Sequence, residues 1–140
     1  MAATAQVSRV IPAKADEVWE TLTSREGMKA WMMGADVETD WKVGSPITMR
    51  GEFGGKAFED RGEVRSFDPV EGFSYTHQSG GQGQMHLVTV ALAPAGAGTE
   101  VTITQSNADG SVSDADRDRK AEYEKTWATM LEGVEKAVGR

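Results

Sequence analysis

A long amphipathic segment near the C-terminus, preceded by a series of short β-rich segments, most constrains the fold. Residues 114–138 place Tyr123, Trp127 and Leu131 at helical spacing, which predicts one helix with a continuous apolar face. Upstream, short runs rich in Val, Ile, Thr, Phe and Tyr alternate with turn residues, which is typical of an antiparallel meander. We expect strands at about 46–53, 57–67, 72–79, 84–93 and 98–106.

The N-terminal part adds one strand and two short helices to this pattern. Residues 1–11 are dominated by strand formers, and Pro12-Ala13 favours the start of a helix. Thr23-Ser24 would end that helix and cap a second one over residues 25–31. Residues 35–42 could add a short strand.

These elements predict an α+β fold in a single domain spanning residues 1–140. A curved antiparallel sheet of six to seven strands would wrap around the long C-terminal helix, with the two short helices closing one end. If the sheet curls without filling the space beside the helix, a cavity remains.

Composition excludes several classes of function. Cysteine is absent, which rules out disulfide scaffolds, thiol nucleophiles and thiolate metal sites. The net charge of −7 argues against binding to nucleic acid or to anionic membranes. No apolar run approaches the roughly 18 residues of a membrane span, and the N-terminus lacks the features of a signal peptide. We expect a soluble, cytoplasmic protein.

The sequence lacks the common catalytic motifs, which predicts no catalytic residue, metal ligand or cofactor. The sequence contains no Gly-x-Ser-x-Gly elbow, no Walker-type loop and no His-Glu-x-x-His. The glycine-rich segment at residues 80–83 lacks the lysine and the following helix of a phosphate loop, so we interpret it as a flexible hairpin connection.

The two histidines form the most suggestive pair. With a turn near Gly81-Gln82, a regular register places His77 directly opposite His86, with Cβ atoms about 4.5–5.5 Å apart. Three interpretations remain open. The histidines could be polar residues at an exposed hairpin end, polar contacts to a ligand, or an acid–base or metal-binding pair, although no third metal ligand is evident nearby.

Aromatic and methionine side chains supply further candidates for a cavity lining, with ordinary core packing as the alternative. Charged residues on two adjacent predicted strands, among them Asp60, are interpreted mostly as a solvated face, from which Arg50 or Arg61 could reach a ligand carboxylate. The complete set of ligand-binding candidates is Trp31, Met32, Trp41, Met49, Phe58, Tyr75, His77, His86, Val88, Tyr123 and Trp127.

Several segments, in order, resemble one known family. They include Ala13 to Thr23, Asp40 to Ser45, Gly98 to Ile103 and Trp127 to Leu131. The chain resembles the activator of heat-shock-protein-90 ATPase homologue-like family, within the START-like SRPBCC superfamily. The resemblance implies a helix-grip fold with a hydrophobic cavity, and its name suggests a link to the stress response.

The fold alone does not select a function. The preferred hypothesis is a carrier or sensor of a small hydrophobic molecule, without enzymatic activity. The alternatives are a protein-interaction or co-chaperone-like module, or a cyclase or hydrolase that uses the same cavity. The co-chaperone role belongs to larger proteins with an extra domain, for which 140 residues leave no room. Both a monomer and a homodimer remain open.

Overall fold

A computed structural model describes residues 5–32, 34–53, 55–78 and 85–138. It has the predicted α+β helix-grip architecture, with two short helices, a curved antiparallel sheet and a long C-terminal helix. The predicted loop at residues 80–83 lies outside the described residues. The elements are β1 (Ala5–Ile11), α1 (Ala15–Thr23), α2 (Arg25–Trp31), β2 (Asp36–Glu38), β3 (Pro46–Phe53), β4 (Lys56–Asp68), β5 (Gly72–His77), β6 (His86–Ala95), β7 (Gly98–Asn107) and α3 (Asp114–Val138).

The seven strands form one sheet in the order β1-β7-β6-β5-β4-β3-β2, and every neighbouring pair is antiparallel. Helix α3 packs closely against β1, α1 and α2. Within the described residues it makes no comparable contact with β3 or β4. The concave side of the sheet is therefore covered by α3 at one side and left open at the other.

Three cross-strand rows on the covered face change from apolar to polar along the strands. The first row is fully buried and apolar, the second is mixed, and the third is polar. The polar row lies towards the N-terminal end of α3, where Asp116 contacts its last member. The rows are Phe73, Val90 and Ile103; Tyr75, Val88 and Gln105; and His77, His86 and Asn107.

Serine side chains cap the starts of α2 and α3. Ser24 Oγ accepts a hydrogen bond from the Gly27 amide at 3.0 Å and so begins α2. At the start of α3, Ser113 Oγ accepts from the Asp116 amide (3.1 Å), while Asp116 Oδ2 accepts from the Ser113 amide (2.9 Å). This reciprocal pair is a capping box with Asp in place of Glu, and it fixes where α3 starts.

An aromatic cluster closes the apolar end of the sheet. Trp41 stacks on Phe67 with ring centroids 5.2 Å apart and meets Phe73 edge-on at 4.8 Å. The Trp41 indole N–H also donates to the Thr23 carbonyl at 2.9 Å. These contacts stabilise a left-handed backbone conformation at Trp41 (φ 60°), which non-glycine residues rarely adopt.

The turn between β4 and β5 contains a second strained residue, Val70. The Glu71 amide donates to the Asp68 carbonyl at 2.9 Å. Val70, which follows Pro69 in this turn, has a positive φ of 69°. A β-branched side chain is unfavourable at this left-handed position, where glycine or asparagine is preferred. We therefore expect Val70→Asn to raise the free energy of unfolding by about 1 kcal/mol, measured by urea denaturation.

The matched control for this prediction is Val43→Asn. Val43 is also an exposed valine, but it has no positive φ, so its replacement should change stability by less than about 0.5 kcal/mol. Equal effects of the two substitutions would show that backbone strain at Val70 does not limit stability.

Candidate ligand-binding site

A cavity of about 700 Å³ lies between α3 and the open half of the sheet. Its walls are mainly apolar, and three methionines and one tryptophan contribute to them. The apolar lining residues are Met32, Ala35, Met49, Ala57, Trp127 and Met130. The polar lining residues are Glu52, Lys56, Asp60, Tyr75, His77, His86, Gln105, Tyr123 and Thr126.

The mouth of the cavity lies at the β3–β4 hairpin. Glu52, Lys56 and Ala57 are exposed there, and Thr126 is exposed on the facing side of α3. Helix α3 has few contacts with β3 or β4 within the described residues, and these exposed lining residues mark where solvent reaches the interior.

The histidine pair lies in the polar row beside this cavity. His77 and His86 are direct cross-strand partners, which confirms the predicted register. His77 Nε2 lies 2.9 Å from Asp60 Oδ2, and both side chains are largely buried. The His86 ring meets Tyr123 of α3 edge-on with centroids 6.3 Å apart. The pair is therefore part of the cavity lining rather than an exposed hairpin end.

Burial sets the protonation of two groups in this lining. Burial lowers the pKa of His86, and the neighbouring His77 lowers it further, while Asn107 and Asp116 oppose the shift. Burial also raises the pKa of the Tyr75 phenol above its ordinary value of 10. At neutral pH the cavity therefore presents a neutral imidazole and a protonated phenol.

Trp127 is fixed on the cavity wall by a polar contact to the sheet. Its indole N–H donates to Gln105 Oε1 at 2.8 Å. This bond favours one orientation of the indole, whose flat apolar face contributes to the cavity wall. Gln105 belongs to the mixed row, so this bond also ties the middle of α3 to the sheet.

The structure brings most of the predicted candidates together. The candidates that line the cavity are Met32, Met49, Tyr75, His77, His86, Tyr123 and Trp127. Phe58 lies opposite Gly51 on β4, and its side chain is outside the described residues.

Three candidates lie away from the lining. Trp31 is 1% exposed at the crossing of α2 and α3, where the absence of a side chain at Gly133 lets the helices approach. Trp41 belongs to the aromatic cluster at the apolar end. Val88 is fully buried between its row neighbours Tyr75 and Gln105, which do line the cavity.

The predicted candidate set omitted five polar lining residues, although strand alternation carries a signal for two of them. The five are Glu52, Lys56, Asp60, Gln105 and Thr126. Asp60 shares parity with Val64, which is buried, whereas Arg61 is exposed on the opposite face. Gln105 continues the buried alternation of Val101 and Ile103. Asp60 therefore does not belong to the solvated face on which it was expected.

The arginines considered as carboxylate contacts lie outside the cavity. Arg50 and Arg61 both bond Glu59, at 2.9 Å and 2.6 Å, on the outer face of the sheet. In the described part of the chain, no group of three or more His, Asp or Glu side chains has an arrangement that could hold a metal ion. No described helix combines the length and the apolar character needed to cross a membrane.

Comparison with known proteins relates this chain to one family and to several solved structures. Residues 12–139 match the model of the family described as activator of Hsp90 ATPase homolog 1-like protein. A solution structure of ChR145 from Cytophaga hutchinsonii is 36% identical, with a TM-score of 0.73 over 97% of this chain and 94% of that one. No curated protein sequence shows significant similarity to the chain.

More distant solved structures share the fold. MLL2253 from Mesorhizobium loti is 22% identical, with a TM-score of 0.78 over 96% of each chain. The Aha1 dimer from Colwellia psychrerythraea is 21% identical, with a TM-score of 0.73 over 99% of this chain and 96% of that one. Because the family model covers nearly all of the sequence, the chain belongs to the activator of Hsp90 ATPase homolog 1-like family.

Proposed function

We propose that this protein is a carrier or sensor that binds a small, mainly apolar molecule in the cavity beside α3. The observation that carries this proposal is the cavity itself, about 700 Å³ in volume and open to solvent at the β3–β4 hairpin. Small-molecule sites in proteins have volumes of roughly 300–1,000 Å³ and combine apolar walls with a few polar groups.

The distribution of polar groups supports an oriented ligand. Met49, Trp127 and Met130 provide apolar surface, and methionine side chains can adapt to an irregular shape. His77 and His86 lie together in the polar row. A ligand with one polar end would therefore place that end beside the histidines and its apolar body against the methionines and Trp127.

The proposal is tested by narrowing the mouth of the cavity. Nile red, a neutral apolar dye, should bind the unmodified protein with a blue shift and an increase in fluorescence. Ala57→Trp places a large side chain at the mouth, where alanine is exposed, so the dye affinity should fall about tenfold or more.

The matched control is Ala93→Trp, the same substitution at an exposed position on β6 that does not line the cavity. This variant should bind Nile red as the unmodified protein does. Equal affinities of the two tryptophan variants would place the dye elsewhere. If, in addition, native mass spectrometry of freshly purified protein detected no retained small molecule, the carrier function would be rejected.

A further inference from the structure

Two neighbouring residues of the polar row, His86 and Asn107, each contain one buried polar atom that needs a partner. Nδ1 of His86 and Oδ1 of Asn107 are both enclosed by protein, and neither has a hydrogen-bond partner among the described residues. His86 and Asn107 are direct cross-strand partners between β6 and β7. A buried polar atom without a partner costs about 1–3 kcal/mol, so the arrangement favours a contact between these two atoms.

The orientation of the Asn107 amide is determined by its other contacts. Its Nδ2 donates to Asp116 Oδ2 at 2.7 Å and to the Ser111 carbonyl at 2.9 Å. A flipped amide would place Oδ1 against these two acceptors, which is unfavourable. Asp116 is in turn held by the Ser113 amide at the start of α3. Oδ1 is therefore the Asn107 atom available to His86, and it can only accept.

An acceptor at this position decides which ring nitrogen of His86 carries the proton. In a neutral imidazole one nitrogen donates and the other accepts. A hydrogen bond from Nδ1–H to Asn107 Oδ1 would satisfy both buried atoms and would leave Nε2 unprotonated in a ring that lines the cavity. We propose that Asn107 and Asp116 hold His86 in its Nδ1–H tautomer, so that Nε2 accepts a hydrogen bond from a hydroxyl or amino group of the bound ligand.

The ligand part of this inference rests on the proposed function, and the surrounding groups narrow the ligand class. His86 is faced by His77 from β5, by Asn107 from β7, and by Asp116 and Tyr123 from α3. Asp60, which also lines the cavity, contacts His77, and Lys56 is a cationic lining residue at the mouth. Two carboxylates near the histidines disfavour an anionic ligand end, so a neutral or cationic donor fits best.

His77 provides an internal reference for the tautomer. Its Nε2 lies against the Asp60 carboxylate, which accepts only, so the neutral ring carries its proton on Nε2. The chain has only two histidines. The two rings should therefore show opposite tautomers in one long-range ¹H–¹⁵N NMR spectrum of the full chain at pH 8, with His77→Gln used to assign them.

The decisive variant is Asn107→Leu, which removes the acceptor from His86. The Nδ1–H signal of His86 should then lose its predominance, while His77 stays protonated on Nε2. Gln105→Leu makes the same amide-to-leucine change two residues away on the same face of β7 and should leave the His86 tautomer unchanged. An amide NMR spectrum checks that each variant is folded. An Nε2–H tautomer of His86 in the unmodified protein would overturn the inference.

The acceptor role is tested with two probes that differ by one methyl group. At pH 8, 2-naphthol should bind about threefold to tenfold more tightly than 2-methoxynaphthalene, which has no donor. Asn107→Leu should abolish this preference. Equal affinities in the unmodified protein would overturn the acceptor role and leave cavity binding intact. Binding of neither probe would overturn the proposed function and the acceptor role together, whereas the NMR spectrum decides the tautomer independently.

Discussion

Phe73→Ala is expected to lower the free energy of unfolding by about 4 kcal/mol, within the range of roughly 3–5 for a buried phenylalanine. Phe73 is 1% exposed and lies at the centre of the aromatic cluster. Its ring meets Trp41 at 4.8 Å, Trp19 at 5.8 Å and Tyr75 at 6.2 Å, so its removal leaves a cavity with rigid aromatic walls that collapse poorly. Thermal unfolding should shift down by roughly 10–15 °C.

The control is Phe73→Leu, which keeps most of the apolar volume. It should lower the free energy of unfolding by no more than about 1.5 kcal/mol. Phe73 does not line the ligand cavity, so Nile red binding by the folded fraction of either variant should match that of the unmodified protein. A loss below about 1.5 kcal/mol for Phe73→Ala would mean that the cluster repacks readily and does not determine stability.

Gly62→Ala is expected to lower the free energy of unfolding by about 3 kcal/mol, a large effect for the addition of one methyl group. A Cβ at this position would fall far inside contact distance of the Thr76 carbonyl oxygen, and backbone cannot yield as a flexible side chain can. The close approach accompanies an irregular stretch of β4, where Thr76 Oγ1 accepts from the Glu63 amide at 2.8 Å and the register shifts between Val64 and Ser66.

Gly96→Ala separates this clash from the ordinary cost of replacing a glycine. Gly96 has φ +60° but nothing within 4 Å of an added Cβ, so only backbone strain of about 1 kcal/mol is expected. Urea denaturation of both variants makes the comparison. If the two losses are equal, the approach of β4 to β5 at Gly62 is not tight in solution.

Local patterns predicted most of the fold because each element carries its own signals. Ser24 and Ser113 mark helix starts through side chains that satisfy free backbone amides, an effect confined to a few residues. The opposition of His77 and His86 followed from the turn position, since a hairpin fixes its own register. The predicted C-terminal end of β6, at about residue 93, was two residues short, since the strand extends to Ala95. The predicted start at about residue 84 lies outside the described residues.

The candidate site was less predictable because its composition depends on how layers pack. Trp31 and Trp41 look equally suited to a cavity wall, and their positions were decided by the α2–α3 crossing and by the aromatic cluster. The contact between Asn107 and Asp116 joins a strand end to a helix start across a loop, and no periodicity predicts which polar residues meet there.

The pairing of β1 with β7 has a consequence for the order of events during synthesis. Ala5 finds its partner only when Gln105 has been made, and β7 must enter between β1 and β6. The hairpins from β3 to β6 can form earlier, because their partners are neighbours in the chain. A nascent chain therefore carries an unpaired first strand until nearly all of its sheet has emerged, and β7 must then pair with strands on both of its sides.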